Sequence, residues 1–293
     1  MRRRLRKDGR TALLFLTPLL AIYLVYFAYS FYFLIDTSFK KVSITFTGAA
    51  QVGWNNYRLL FEDPAFIRSI LNNLLFAATT IVVSLTVAFF IAAALATGVR
   101  GRRLYYVIFL VPALMPVALV ATMFNVMLEY RDGALNQTLR KIGLGSLAQH
   151  WLTQPQWAIA AVITLFAYLI GLPIMYYTAD LATIRTDAIE AAVIDGAGTL
   201  RILRSILHPM LRATHVTIIL ALLLGSFRAF EIVLLSTGGG PSDNTEVVGT
   251  YIYGYVTSAG STIGFASAAS VVVLLVALVG SAIQMLFTRR SSK

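Results

Sequence analysis

The stretch Glu190-Ala191-Ala192-Val193-Ile194-Asp195-Gly196-Ala197, followed by Ile206-Leu207-His208-Pro209, is a short polar island between two long apolar runs. Asp187 and Glu190 stand three apart, the spacing of a capping box at a helix start. Ala188, Ala191, Ala192 and Asp195 follow at near-helical spacing. Gly196 and Gly198 then weaken the helix, because glycine loses the most conformational freedom when ordered. Thr199 starts a second short helix through Leu200, Ile202, Leu203 and Ile206, which Pro209 limits for want of an amide hydrogen. The pattern predicts helix, break, helix, with small residues that let another backbone approach closely. Arg201, Arg204 and Arg212 would meet acidic lipid headgroups or an acidic partner. From spacing alone, a loop with two amphipathic turns resting on a membrane surface fits as well.

The flanks of this island decide the class. The chain has 293 residues, 58% hydrophobic and only 13% charged, with a mean hydropathy of +0.76. A soluble domain carries about 25% charged residues, so one soluble core cannot hide this much apolar surface. Six runs are long enough for a bilayer, which needs about 20 residues of helix. They are 12–35, 72–97, 105–128, 157–179, 214–235 and 263–287. None alternates with period two as barrel strands do, and in lipid the backbone must bond internally, so helices are expected. The expected fold is all-α: a polytopic membrane protein with six transmembrane helices in one domain, 1–293. The basic segment Met1–Arg10 is followed by no evident cleavage pattern, so the first span is read as retained. Without cysteine there is neither a disulfide framework nor a thiolate metal site.

The net charge of +11 reflects topology. One set of loops holds Arg2, Arg3, Arg4, Arg6, Lys7 and Arg10, then Arg100, Arg102 and Arg103, then Arg185, Arg201, Arg204 and Arg212, then Arg289, Arg290 and Lys293. The opposite set holds only Lys40, Lys41, Arg58, Arg68, Arg131, Arg140 and Lys141. Basic loops stay inside, so both termini and the segment 185–212 are expected in the cytoplasm. The external loops are then 37–71, 129–156 and 236–262, none large enough for a separate domain. Pro64 is expected to open a short surface helix leading into the second span.

The string Glu-Ala-Ala, then Asp-Gly-Ala, then Ile206 and Pro209, resembles the EAA motif of permease subunits of binding-protein-dependent ABC importers. A second segment supports this. Phe230-Glu231, Leu235-Ser236-Thr237-Gly238-Gly239-Gly240-Pro241 and Thr245 look like the region after span five in sugar permeases of the maltose and glycerol-3-phosphate type. Asn56-Tyr57, Tyr251-Ile252-Tyr253 and Gly264-Phe265-Ala266 continue the likeness, which covers nearly the whole chain. Three positions depart from it: His208 stands where the family usually has Leu, Ala213 where a second proline is common, and Glu231 where Asp is frequent.

The resemblance implies the type I importer fold, with Glu190, Ala191, Ala192, Asp195, Gly196, Ala197 and Pro209 in a coupling helix seated in a cytoplasmic ATPase. This chain has no G-x-x-x-x-G-K-[ST] phosphate loop, so it is not read as an enzyme, and the ATPase activity is expected in a separate subunit. The family pairs two permease subunits with two ATPase subunits and an external solute-binding protein. ATP and Mg would be used by the ATPase, and no cofactor is expected on this chain. The implied setting is the cytoplasmic membrane of a bacterium.

For the solute path the candidates are Ser226, Phe227, Arg228, Phe230 and Glu231. Ionisable groups inside a membrane suggest function, and aromatic faces beside hydroxyls suit a sugar. Arg228 and Glu231, three apart, could instead pair on one helix face, fix packing, or snorkel outward. Pro112, Pro116 and Pro173 are candidate kinks. His150, His208 and His215 lack metal-ligand spacing. A carbohydrate is the leading solute; a polyamine, phosphate or sulfonate is the alternative. An intramembrane lipid-modifying enzyme would need a catalytic cluster that the sequence does not display, and a self-contained channel would not need a docking segment.

Overall fold

The computed structural model describes residues 2–44, 48–96, 99–184, 187–258 and 262–291. Arg185 and Lys293, used above for orientation, and Thr97, the end of the second predicted span, lie outside these residues. Helix dominates, and the ladder pairing Lys40–Lys41 with Ala50–Gln51 joins two residues to two. Among the described residues, four helices are long and apolar enough to cross a bilayer: Leu14–Ser38, Pro64–Ala96, Pro155–Leu181 and Ile263–Ala282. Two bent pairs bring the number to six: Arg102–Leu114 with Val117–Met127, and Thr199–Met210 with Arg212–Ser226.

Proline chemistry accounts for the broken spans. The third span turns by 99° at Met115–Pro116. Met115 has ψ 148°, because a residue before proline is driven out of the helical region. Pro112 sits inside Arg102–Leu114 without ending it. In the fourth span the helix Pro155–Tyr168 stops and Gly171–Leu181 resumes. The break falls at Leu169, whose carbonyl would have bonded the amide that Pro173 lacks. Gly171 allows the close approach here: a Cβ on it would lie 2.2 Å from the Phe109 carbonyl oxygen. Pro64 corrects an expectation. It opens the spanning helix itself, with Asp63 accepting from the Ala65 amide at 2.9 Å. Proline at the first helical position gives up only an amide that has no helical partner.

The chain divides into two compact units, Met1–Glu62 with Gly254–Leu274, and Asp63–Tyr253 with Leu275–Lys293. In the first unit, Asn56 Nδ2 donates to the carbonyls of Ser38 at 2.8 Å and Lys40 at 3.0 Å, and the Tyr57 hydroxyl meets Ser38 Oγ at 2.7 Å. The Asn56 amide thus satisfies one of the carbonyls left at the end of Arg2–Ser38, that of Ser38. Gly264 passes so close to the Lys40 carbonyl that a Cβ would lie 1.8 Å from its oxygen. Asn56-Tyr57 and Gly264-Phe265-Ala266, far apart in sequence, thus build one corner.

The second unit has its largest buried cluster at the end that carries the island, around Phe89, Leu95, Ile174, Tyr177, Leu207 and Leu211. Smaller clusters join Phe76, Val162, Val233 and Val247, and Ala121, Leu165 and Ile232.

Candidate functional site

The island folds as helix, break, helix. Asp187–Ile194 comes first, with Asp187 and Glu190 in its first turn, where negative charge suits the helix dipole. The helix ends on Gly196 at φ +76°. The Gly196 amide donates to the Val193 carbonyl at 3.0 Å and the Ala197 amide to the Ala192 carbonyl at 2.9 Å. This pair of bonds is the Schellman motif, which favours glycine because a Cβ is strained in the left-handed region. Thr199 then starts the second helix, with Gly198 before it at ψ 161°. Pro209 does not stop that helix, which runs to Met210 before the 70° turn into Arg212–Ser226. A widened turn at Leu203–Leu207 lies over the Ser205 carbonyl that Pro209 cannot bond.

One side of the segment is rooted and the other is bare. Ile189, Ile202, Leu203, Leu207 and Leu211 pack into the cluster around Phe89 and Tyr177. Ile194 is 86% exposed and Leu200 70%, and Glu190, Ala191, Asp195 and Pro209 are exposed too, with Ala192 and Ala197 half-buried. A Cβ built on Gly196 or Gly198 meets nothing within 4 Å. Large apolar side chains held in the open on a rooted frame mark an interaction surface.

The histidines near the segment form an aromatic group. His208 and His215 rings lie 4.5 Å apart, and His215 Nδ1 meets the Tyr177 hydroxyl at 2.7 Å. No group of three or more His, Cys, Asp or Glu able to hold a metal occurs among the described residues.

A cavity of about 250 Å3 lies between the second, fourth and fifth spans, lined by Thr80, Ser84, Phe166, Tyr176, Leu222 and Ser226 among others. Ser84 is fully buried there, and its hydroxyl has no hydrogen-bond partner. It begins a widened helical turn, Ser84–Ala88, a distortion common at functional sites. Of the five candidates for the solute path, this cavity receives only Ser226. Arg228 and Glu231 are both exposed and make no ion pair with each other. The spacing argument assumed a continuous helix, but Arg212–Ser226 stops and Phe230–Ser236 begins after a turn through Phe227, Arg228 and Ala229. Phe227 is half-buried in that turn. Phe230 packs on Tyr253 at 5.2 Å and against Gly249, where a Cβ would come within 2.9 Å of its own.

The turn is held by a residue that sequence reasoning passed over. Asn73 Nδ2 donates to the Ser226 carbonyl at 2.6 Å, while its Oδ1 accepts from the Val248 amide at 2.8 Å. Beside it Asn72 donates to the Glu246 carbonyl at 2.8 Å. The signal was present: two adjacent amides in an apolar span, where polar side chains need partners.

The segment Thr237–Glu246 closes on itself. Thr237 Oγ1 meets Thr245 Oγ1 at 2.7 Å, Thr245 Oγ1 donates to the Gly240 carbonyl at 2.6 Å, and Gly238 and Gly239 take φ of +66° and +88°. The Arg68 guanidinium donates to the Ser242 carbonyl at 3.1 Å, and the Tyr251 hydroxyl to Asp63 Oδ2 at 2.6 Å. Glu246 is pushed up to about 7, chiefly by burial, then by the charges of Asp243 and Asp63, against the opposing pull of Arg68.

Broken apolar spans, an exposed cytoplasmic-type helix–break–helix segment and a cavity between spans define the class, a subunit of a membrane transporter. The model of the family described as binding-protein-dependent transport system inner membrane component matches residues 84–293, and the chain belongs to that family. It is 31% identical over 281 residues to the probable ABC transporter permease protein YurN of Bacillus subtilis, covering 94% of each chain. It is 26% identical to the sulfoquinovosyl glycerol transport system permease protein SmoG of Agrobacterium fabrum, covering 96% of this chain and 91% of that one. Its fold is that of an ABC importer permease: a chain of the bacterial alginate ABC transporter, solved in complex with an alginate pentasaccharide-bound periplasmic protein, superposes with a TM-score of 0.80 at 25% identity, covering 99% of each.

Proposed function

We propose that this chain forms part of the path by which an ATP-driven importer carries a carbohydrate, delivered by an external solute-binding protein, across the cytoplasmic membrane of a bacterium. Both termini face the cytoplasm. The observation that carries this reading is the exposed face at Ile194 and Leu200, rooted through Ile189, Ile202 and Leu207. Glu190, Ala191, Ala192, Asp195, Gly196, Ala197 and Pro209 form the coupling surface for a separate ATPase subunit, which uses ATP and Mg. A second permease subunit, a second ATPase and the binding protein complete the assembly. When the ATPase pair closes, a rooted segment moves as a rigid body and takes the inner ends of the second, fourth and fifth spans with it, switching the path between two states. Ser226, with Thr80, Ser84 and Tyr176 beside it, supplies hydroxyls to the solute. Relatives named for sulfoquinovosyl glycerol and for alginate support a carbohydrate.

The test is uptake by proteoliposomes holding the whole complex, with the binding protein and labelled oligosaccharides on one side and ATP on the other. Uptake that needs both, with single cysteines at Ser242 labelled from outside cells and at Thr199 only after permeabilisation, is the expected result. Labelling in the reverse order would overturn the orientation, and uptake of none of the saccharides would overturn the solute class.

A further inference from the structure

A second cavity, of about 510 Å3, opens among the ends of three helices: Leu95 closes one side, Thr178 and Leu181 a second, and Arg102, Arg103 and Val107 the third. We propose that it is a binding site for one anionic phospholipid, with the headgroup phosphate held by Arg102 and Arg103 and an acyl chain laid in the groove beyond them. This rests on the reading that these helix ends lie at a membrane face.

The walls are apolar and the charge is all of one sign. Neither arginine makes an ion pair or hydrogen bond with a side chain of another described residue, and both are exposed. The carboxylate on the same stretch of the fourth span, Asp180, accepts from the Thr214 hydroxyl and forms no ion pair with either arginine. Two guanidiniums at one point suit a phosphate, whose oxygens take paired N–H donors. Basic pockets between spans at an anionic membrane face are where acidic headgroups collect.

From the cavity an exposed apolar face continues along the third span. Leu104 is 63% exposed, Val107 51%, Ile108 53% and Val111 49%, and their spacing puts them on one face of Arg102–Leu114. Thirteen helical residues extend about 20 Å, the reach of an acyl chain. A free anion would use the arginines and leave the groove empty. An acyl chain without a charged head would fill the groove and leave two unpaired cations. Only a ligand with both parts covers both.

The test uses the assembled complex, offered equal amounts of phosphatidylglycerol and phosphatidylcholine with matched chains, with retained lipid read by native mass spectrometry. The wild-type complex should hold phosphatidylglycerol about thirtyfold over phosphatidylcholine, the scale expected of two interfacial arginines. R102Q/R103Q should bring the ratio near one, and R102K/R103K should keep most of it. V107W leaves both cations and fills the groove, and should lose the lipid as well. Retention by R102Q/R103Q at the wild-type ratio would overturn the site. So would retention by V107W, which would leave only an open charged surface, or displacement of the lipid by excess inorganic phosphate. Should wild type hold no lipid while V107W fails to assemble, the groove seats another subunit and the proposal falls. None of these readings depends on uptake, so a wrong solute or a failed transport assay leaves them interpretable.

Discussion

The segments 187–211 and 237–251 both follow a span and both are broken by glycine, yet they end in opposite states. In the first, Gly196 and Gly198 face open space and Ile194 and Leu200 stand bare. In the second, Gly239 and Gly249 touch Glu246 and Phe230, and Thr237, Thr245, Asn72 and Asn73 spend their polar groups on one another and on the backbone. A fold that closes its own loop satisfies that loop. One that leaves apolar side chains bare on a rooted frame keeps them available to a partner, as proposed above. On that proposal the difference separates a joint from a latch, although both read as glycine-rich connections.

The comparison can be broken most sharply at Gly196. Gly196→Asp should reduce uptake to background while the subunit remains in the membrane at its normal level, because a charge would be buried unpaired on docking. Uptake, membrane level and co-purified ATPase should be measured together; normal uptake would remove the joint from the mechanism. In the latch the effect should fall on stability instead. Asn73→Leu leaves the Val248 amide without a partner, at about 1–3 kcal/mol, and the Ser226 carbonyl with only the Ala229 amide. The yield of folded subunit and its melting temperature should fall, with the coupling surface unaffected.

A weaker effect should appear with pH. The carboxyl of Glu246 binds its proton more tightly in the folded chain, at about 7, than at its ordinary value of 4.5. The folded state therefore loses stability as pH rises from 4.5 through about 7 and changes little beyond. Melting temperature measured across that range should decline in the wild type and flatten in Glu246→Gln. The smallest change is Gly196→Asn. Asparagine tolerates a positive φ, so stability should move by less than about 1 kcal/mol. Uptake should fall between wild type and Gly196→Asp, which would separate the space at this position from its backbone angle.

The six apolar runs, the helix–break–helix island and the place of its glycine follow from local chemistry: hydropathy over a bilayer's thickness, a left-handed helix end and a proline without an amide. For the same reason the family likeness was legible in Glu190-Ala191-Ala192 and Asp195-Gly196-Ala197. Other features depend on what lies across the fold. Periodicity put Arg228 and Glu231 on one helix, but the turn that parts them is pinned by Asn73, more than 150 residues away. Ser84 looked like any serine in an apolar span until three helices left its hydroxyl alone beside a cavity. Nothing in the neighbouring sequence says why Gly171 and Gly264 need a hydrogen in place of Cβ; the reason is the carbonyls of Phe109 and Lys40. The sequence by itself determined the spans, the helix–break–helix segment and the kind of machine. Tertiary structure alone decided which polar atoms meet, because a hydrogen bond between spans depends on register and distance, which no window of sequence contains.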